Sequence, residues 1–579
     1  MFKLLRFLKS YRLPLIVVFI LAVGQSVSNL YLPNLMSDIV NKGISAFNTS
    51  YIWKTGGIMV LVTIGGVLCS VAGIYLSSQV ATGMNRIIRA EIFNKVQHFS
   101  LHEFDTMSTA SLITRTTNDT AQVQQVMVMI LNMLITAPIT LVAGIIMALQ
   151  QDVGLSWILI VIMPVLILVI LILLFRAIPL FTVIQVKLDK LNLILDENLI
   201  GVRVVRAFNR IKHEEERFDV ANRDVTGIAI KVNQLMAVMM PVMMLMINLS
   251  SVAIIWFGSL RVGAGTLQTG AMFAFLQYAM QILISLLLVA MMFIMIPRSE
   301  ASANRINEVL EMEPEIKDPE NPAPATKQRG HIEFRSVAFG YVGAEKHALS
   351  DISFTASPGK VTAIIGGTGS GKSTLVNLIP RFYDVASGDI IVDGVETRNM
   401  SQEQLRGKIG FVPQKAVLFA GTIKDNLRYG KEDATDEEII HACEVAQASE
   451  FISKMPDGYD SLIAQGGTNV SGGQMQRLSI ARALVRKPEI YVFDDTFSAL
   501  DFKTDARLRA ALKGETRDAT VIIVAQRVST VIDADQIIVL EDGRAVGMGT
   551  HKELMKTCDV YKGIVSSQLS ATEIEEENI

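Results

Sequence analysis

Cysteine is nearly missing from this 579-residue sequence: Cys69, Cys443 and Cys558 are the only three, and they lie far apart. An odd, scattered set frames no disulfide scaffold and lacks the paired spacing of a zinc or thioredoxin-type site. Charge is scarce as well, at 19% of residues, where soluble proteins carry about 25%. The net charge of −3 gives no argument for nucleic acid, and none is expected as a partner. What abounds is apolar: 50% of residues are hydrophobic, with 27 Met and 25 Phe. Mean hydropathy is +0.39. This composition excludes a disordered or fibrous chain and argues against a purely soluble enzyme.

The scarce charges are unevenly placed. Residues 1–325 carry 24 Lys and Arg against 21 Asp and Glu, whereas residues 326–579 carry 29 against 35. An apolar, slightly basic half precedes an ordinary, slightly acidic one, the pattern of a membrane domain joined to a soluble domain. Six stretches of the first half reach the length of about 20 apolar residues that a bilayer requires: Leu13–Leu35, Gly57–Val80, Val126–Leu149, Leu155–Phe175, Leu235–Phe257 and Ala271–Ile296. The first is too long for a secretory signal and has no small-residue cleavage site. Loop charge orients the set. Segments 1–12, 81–125 and 177–234 hold 17 Lys and Arg in 115 residues, and loops 37–56, 150–154 and 258–270 hold 3 in 38. The richer side is cytoplasmic, and the N-terminus with it. The two long inward connections contain the helix-period stretches Met84–Phe99 and Lys187–Asn209. At about 1.5 Å per residue, such legs reach about 30 Å below the bilayer. Polar tips at His102–Ser111 and Ala207–Glu215 are then placed to touch something soluble.

Methionine crowds the fifth stretch (Met236, Met239, Met240, Met243, Met244, Met246) and recurs in the sixth (Met280, Met291, Met292, Met295). Flexible Met suits a surface that accepts many apolar ligands, but packing filler is the plainer reading. Pro138, Pro164 and Pro241 are tolerable inside spans, and Asn29 and Asn132 read as interhelical hydrogen bonders. Asn48-Thr49-Ser50 is a glycosylation sequon, read as a chance match.

Pro314, Pro319, Pro322 and Pro324 stand among charges in Glu311–Gly330, a solvated linker. The expected organisation is a membrane α-helical bundle over residues 1–310, that linker over 311–330, and an α/β P-loop nucleotide-binding domain over 331–579. The P-loop is Gly366-Gly367-Thr368-Gly369-Ser370-Gly371-Lys372-Ser373, between an apolar run Val361–Ile365 and a helical run Thr374–Ile379. Its glycines let backbone N–H groups curl around phosphate, and the following helix adds its positive end. Lys372 is the residue to reach the β and γ phosphates, and Ser373 the one to bind Mg²⁺. A second element, Ile490-Tyr491-Val492-Phe493-Asp494-Asp495, ends a buried strand in two acids. Asp494 is placed to hold Mg²⁺ and Asp495 to orient the attacking water. A third, Val470-Ser471-Gly472-Gly473-Gln474, opens another helix as a second phosphate cradle, although a simple NTPase needs only one.

Together these motifs resemble the ATP-binding cassette exporters, in their half-transporter form, over essentially the whole chain. Gly366–Ser373, with Thr374 after it, looks like Walker A, Ile490–Asp494 like Walker B, and Val470–Gln474 like the signature with Val in place of the usual Leu. The resemblance implies more: Gln414 as the Q-loop residue shared between Mg²⁺ and catalysis, Asp501 as the D-loop Asp, and Tyr341 as the aromatic under adenine. By spacing alone Tyr341 is equally a strand residue. It implies too that the inward tips seat on nucleotide domains, and that two chains sandwich each ATP between one Walker site and the other's signature.

Two positions depart from that pattern. Asp495 stands where the family has Glu, and Gln526, in Val524-Ala525-Gln526-Arg527, stands where it has His. One methylene fewer withdraws a carboxylate by about 1.5 Å, and misplacement on that scale costs about 100-fold in rate. Gln donates a hydrogen bond but carries no His⁺ charge. The expectation is a site that binds MgATP and hydrolyses it poorly, the degenerate half of a heterodimeric multidrug exporter in a bacterial inner membrane. A homodimer with slow turnover, a lipid or peptide exporter, and an ATP-gated channel are the alternatives.

Overall fold

The computed structural model describes residues 1–324, 326 and 328–568; the side chains of Met291, Met292 and Met295 lie outside that description. The chain divides into two compact units, one of Met1–His98 with Met107–Met312, the other of Phe99–Thr106 with the chain from Glu313 onward.

Helices α1 (Lys3–Ile44), α2 (Thr49–Gln97), α3 (Leu101–Met107), α4 (Thr109–Gln151), α5 (Ser156–Ile200), α6 (Val202–Ala207), α7 (Ile211–Gly263) and α8 (Thr269–Glu311) run up to the linker. Each expected apolar stretch falls inside a long helix, save that Leu155 stands one residue before α5, and α1, α2, α4, α5, α7 and α8 are long and apolar enough to cross a membrane. In hydrocarbon a backbone N–H or C=O has no water to bond, so a continuous helix is the form these runs must take. Ile16, Phe19, Ile20, Ile160 and Val161 remain exposed on the helix surfaces, which suits lipid and not water.

In the first unit α1 packs along α2 and against α4 and α8, while α5 packs chiefly on α7. A core of Leu155, Ile158, Leu159, Met243, Ile254 and Phe275 joins α5, α7 and α8. The fifth-span methionines divide: Met243 belongs to that core, while Met240 and Met244 are exposed. Pro138, Pro164 and Pro241 sit inside helices, as expected.

Two polar residues expected to bond across helices do otherwise, and a third takes a role at a helix end. Among the described residues Asn132, in a π-helical stretch at Ile130–Leu134, makes no bond across helices; its amide donates to the Val128 carbonyl one turn back. Asn29 contributes its backbone carbonyl, not its side chain, to a contact with Gln281. The sequon residue Asn48 caps α2, its side chain accepting from the Tyr51 N–H at 3.1 Å. The second tip begins earlier than its polarity suggested: α5 stops at Gly201, and α6, with no buried residue, stands before the polar stretch.

One ion pair fastens the start of α4 to the end of α8. Asp119 is buried, at 1% exposure, and accepts from Arg305 Nε at 2.7 Å and Ser302 Oγ at 2.9 Å. Arg115 lies beside it, donating to the Arg305 carbonyl at 3.0 Å and pairing with Glu308 at 2.7 Å.

In the second unit a six-stranded sheet has the order 544–549, 536–541, 361–366, 520–524, 490–494 and 409–412; the first pair is antiparallel and the rest are parallel. Alternate residues of each strand enter opposite cores. Ala363, Phe493, Ile523 and Val539 face the side carrying helix Gly472–Arg486, while Ile364, Val492, Ile522 and Leu540 face helix Lys372–Leu378. Both faces are therefore buried, which is why these strands read as continuous apolar runs. An antiparallel sheet of 349–356, 332–339, 387–392 and 395–396 covers the second core.

The first half of the first tip, up to Thr106, belongs to this unit, and Met107–Ser111 to the other. Glu103 is buried and accepts from Ser100 N–H and Oγ–H at 2.6 Å each and from the Glu315 N–H at 3.1 Å. Burial alone would raise its carboxyl, but these bonds, that to the Ser100 hydroxyl first, hold it below the ordinary range. Tyr383 donates to Asp105 at 3.3 Å.

Removing the buried acid of the ion pair leaves Arg305 and Ser302 without their acceptor. Asp119→Ala is expected to cost about 1–3 kcal/mol and lower the thermal midpoint of the detergent-solubilised chain. Arg305→Lys, which keeps charge but loses the planar fork, gives part of that loss. An unchanged midpoint by intrinsic fluorescence would show that the pair does not hold α4 to α8.

Candidate functional site

The expected phosphate loop forms where strand Val361–Gly366 ends and helix Lys372–Leu378 begins. Gly366 must be glycine: a Cβ there would stand 2.2 Å from the Leu540 carbonyl oxygen. Gly371 caps the helix at φ +97°, which side chains avoid. Lys372 folds back over the loop and donates to the Gly366 and Gly367 carbonyls at 3.0 and 2.7 Å. Among the described residues the N–H groups of Thr368 and Gly369 bond to no other backbone group, and the buried Ser370 hydroxyl has no partner. Free donors around a cationic side chain suit a phosphate group, so the loop passes the test that ATP sets it. Burial lowers the Lys372 ammonium from its usual range, with Asp495 and Asp494 opposing the shift.

Ser373 and Asp494 are brought together from positions 121 apart, Ser373 Oγ donating to Asp494 Oδ1 at 3.0 Å. Burial raises the Asp494 carboxyl, opposed by the Ser373 hydrogen bond and reinforced by neighbouring Asp495. Among the described residues no cluster of three or more His, Cys, Asp or Glu stands ready for a metal. A hydroxyl and one carboxylate suit Mg²⁺, which takes few protein ligands and fills its shell from phosphate and water.

Asp495 lies at φ +45°, its N–H held by the Val524 carbonyl at 3.0 Å. Its Oδ2 accepts twice, from Gln526 Nε2 at 2.7 Å and Gln414 Nε2 at 3.1 Å. A carboxylate only accepts, so both amides must present nitrogen to it. The two unusual residues are thus partners, and Gln414 is the third member. Sequence spacing gave no sign of this, since the three come from separate loops.

The remaining expected residues divide. Thr374 pairs with Tyr341, oxygen to oxygen at 3.0 Å. Tyr341 follows strand Ile332–Phe339, is part-exposed, and packs edge-on against Tyr383 with ring centres 5.6 Å apart. Ser471 caps helix Gly472–Arg486, and Gln474 returns the bond in a capping box. Ser471 and Gly472 are exposed, and no hydrogen bond among the described residues joins Ser471, Gly472, Gly473 or Gln474 to the phosphate loop. Asp501 caps helix Phe502–Glu515 through the Thr504 N–H at 2.9 Å. Tyr383 was not anticipated, and only its aromatic character beside the loop helix hinted at it.

A raised carboxyl takes up its proton at a higher pH than an ordinary Asp, and the protonated form cannot ligate Mg²⁺. The Mg²⁺-dependent part of nucleotide binding is therefore expected to weaken on acidification at a higher pH than an ordinary Asp would dictate, with Mg²⁺-free binding changing less. Fluorescent-ATP titrations with and without Mg²⁺ measure both. Asp494→Asn should remove the Mg²⁺-dependent part; its survival would take Asp494 out of the metal site.

The same organisation is found in known proteins. Residues 15–287 match the ABC transporter transmembrane region, and residues 349–498 match the ABC transporter family. An uncharacterised ABC transporter ATP-binding protein of Mycobacterium tuberculosis is 42% identical over 570 residues, 98% of each chain. A fatty acid ABC transporter ATP-binding/permease protein of Mycobacterium bovis is 34% identical over 474 residues, 82% of this chain and 75% of that protein. The solved structure of a bacterial Atm1-family ABC exporter with ATP bound matches with a TM-score of 0.82 at 25% identity, over 98% of this chain and 99% of that one. With six membrane spans preceding one ATP-binding domain, the chain belongs to the ABC transporters, as an exporter half-transporter.

Proposed function

We propose that this chain is the weak-site subunit of a heterodimeric exporter of lipophilic compounds. The observation that carries the reading is the state of Asp495. One oxygen of its carboxylate, already short by one methylene, accepts from the amides of both Gln526 and Gln414. Two amide donors on that oxygen draw off its charge and fix the aim of the short side chain, which makes it a weaker base toward water. Binding groups are complete by contrast: the free N–H groups of the loop, Lys372 beside them, and Ser373 with Asp494 for the cation. MgATP supplies the phosphoanhydride whose binding and cleavage drive transport in this family. This chain's residues hold it, while the switch position supplies an amide in place of an imidazole.

Other features support a partner chain. The helix opening at Ser471 and Gly472 presents an exposed N-terminus, fit to complete an ATP site on another subunit. Helix α6, with no buried residue, carries Arg203 and Arg206 into the open, as a surface awaiting another chain would. The excess of Lys and Arg in the inward segments supports a cytoplasmic N-terminus and ATP-binding domain, with the spans in a bacterial inner membrane.

Lipid is the second reading for the cargo. A cavity of about 310 Å³ is lined by Ile167, Leu171, Phe175 and Ile178 of α5 and by Leu286 and Val289 of α8, hydrocarbon throughout. Such a lining suits an acyl chain better than a charged drug, and the Mycobacterium bovis relative is named for fatty acid.

Restoring the family residues tests the weak site. Asp495→Glu combined with Gln526→His is expected to raise kcat for ATP by about 10-fold or more, on the scale that 1 Å of misplacement costs. KM should change little, because the binding groups are untouched. Equal turnover before and after would place the defect elsewhere.

The subunit reading is checked by purification. A tagged copy expressed from its native locus should bring down a second half-transporter bearing Glu and His at the equivalent positions. In proteoliposomes the pair should then show cargo-stimulated ATP turnover. Brisk hydrolysis by this chain alone would end the heterodimer reading, and gated ion flux without transport would end the exporter reading.

A further inference from the structure

The switch segment that carries Gln526 is held from two sides. Ala525 N–H bonds to the Ile364 carbonyl at 3.0 Å, tying the segment to the strand beneath the phosphate loop. Beyond it the side chains reach forward: Gln526 to Asp495 at 2.7 Å, and Arg527 to the Ser498 carbonyl at 3.4 Å with its guanidinium over the Phe502 ring. Behind, the backbone meets one residue that no motif singled out. Gln568, on the helix Asp559–Gln568, donates from Nε2 to the Gln526 carbonyl at 2.8 Å and accepts at Oε1 from the Val528 N–H at 2.8 Å. One planar carboxamide therefore occupies both bonding edges flanking Arg527, as a neighbouring strand would. The helix that presents it is itself fixed, with Tyr561 and Val565 wholly buried.

We propose that Gln568 is a positioning residue of the ATP site: it fixes the backbone at Gln526 and Val528 and so aims the switch side chain at Asp495. The chemistry limits the position to a side chain with donor and acceptor on one plane and enough reach for both. Glu keeps the acceptor but turns an anion on the Gln526 carbonyl. Met keeps length and bulk and loses both bonds. Without the clamp, the Arg527 and Val528 carbonyls keep their bonds to the Thr530 and Ile532 N–H groups and Val528 stays buried, but the Gln526 carbonyl and the Val528 N–H lose their partner, so the aim of position 526 loosens while the loop that grips phosphate stays intact.

The proposal rests on the reading that position 526 faces the transferred phosphate, and the test separates the two. Gln568→Met is introduced into the full transporter carrying Asp495→Glu and Gln526→His. The expected result is a fall in kcat of about 10-fold with KM for ATP within about twofold and the thermal midpoint unchanged. A structural role alone would lower the midpoint and move KM with kcat, and either that pattern or an unchanged kcat overturns the proposal. If the restored chain turns over no faster than the original, the weak-site reading fails, and Gln568 is judged by hydrogen exchange in the unsubstituted transporter. There Gln568→Met should speed exchange in peptide 526–531 and also in peptide 490–498, which carries Asp495. Faster exchange in 526–531 alone would mean that the clamp positions nothing beyond itself and would overturn the assignment.

Discussion

Burial of both faces of the parallel sheet is the constraint from which the ATP-binding domain follows. Strand Ile490–Asp494 is buried along its whole length, and so is Thr520–Val524. A polar side chain has no place along such strands unless paired, so functional groups collect where the strands end. Asp494 and Asp495 close one strand, Gln526 lies just past the next, and Gly366 opens the phosphate loop at the end of the third. Convergence of residues distant in sequence is thus a consequence of parallel pairing: Val524 sits beside both Asp494 and Ile364, and the three loops must emerge together.

A different solvent imposes the complementary rule on the first unit. In lipid the backbone satisfies itself and helices need no apolar stripe, so α1, α2, α5 and α7 are apolar nearly all round. Specificity then rests on a few polar contacts. Tyr278, wholly buried, donates to the Leu30 carbonyl at 2.9 Å, and Asn41 accepts from the Gly270 N–H at 2.8 Å. Where the helices extend past their apolar stretches, ion pairs such as Asp119 with Arg305 take over. The two tips also differ in kind. Residues 99–106 are built into the ATP-binding unit, whereas α6 is bare and leaves Val204 and neighbouring Phe208 exposed.

These contrasts mark what was legible in the sequence. Apolar runs of bilayer length and a glycine loop between strand and helix depend on local composition and appear directly in it. Asn132 was misjudged because a polar residue in a helix can spend its donor one turn back, and no pattern distinguishes that from a bond across helices. The triplet at Asn48 was read as a chance sequon, and the same short polar side chain makes a good helix cap, a role that spacing did not announce. The tip at α6 was placed too late because Val202, Val204 and Val205 read as more of the preceding leg, while the stop is set by Gly201. Asp495 and Gln526 stood out singly against the family pattern, but their hydrogen bond depends on tertiary convergence that spacing does not encode.

That bond changes how the two departures are understood. Considered apart, a shortened acid and a missing imidazole are two separate losses. Joined, they form a stable local arrangement, because the carboxylate has the strong acceptor that an amide donor seeks and Gln414 adds a second donor to the same atom. The same site is continuous with the first tip: Asp105 bonds to Tyr383, Tyr383 packs on Tyr341, and Tyr341 bonds to Thr374, the neighbour of Ser373. Under the weak-site proposal this contact path has a use, since occupancy without hydrolysis would then have to carry the signal. On that proposal the contacts that register binding are kept, and the contacts that would act only in the transition state are the ones exchanged for the Asp495–Gln526 pair.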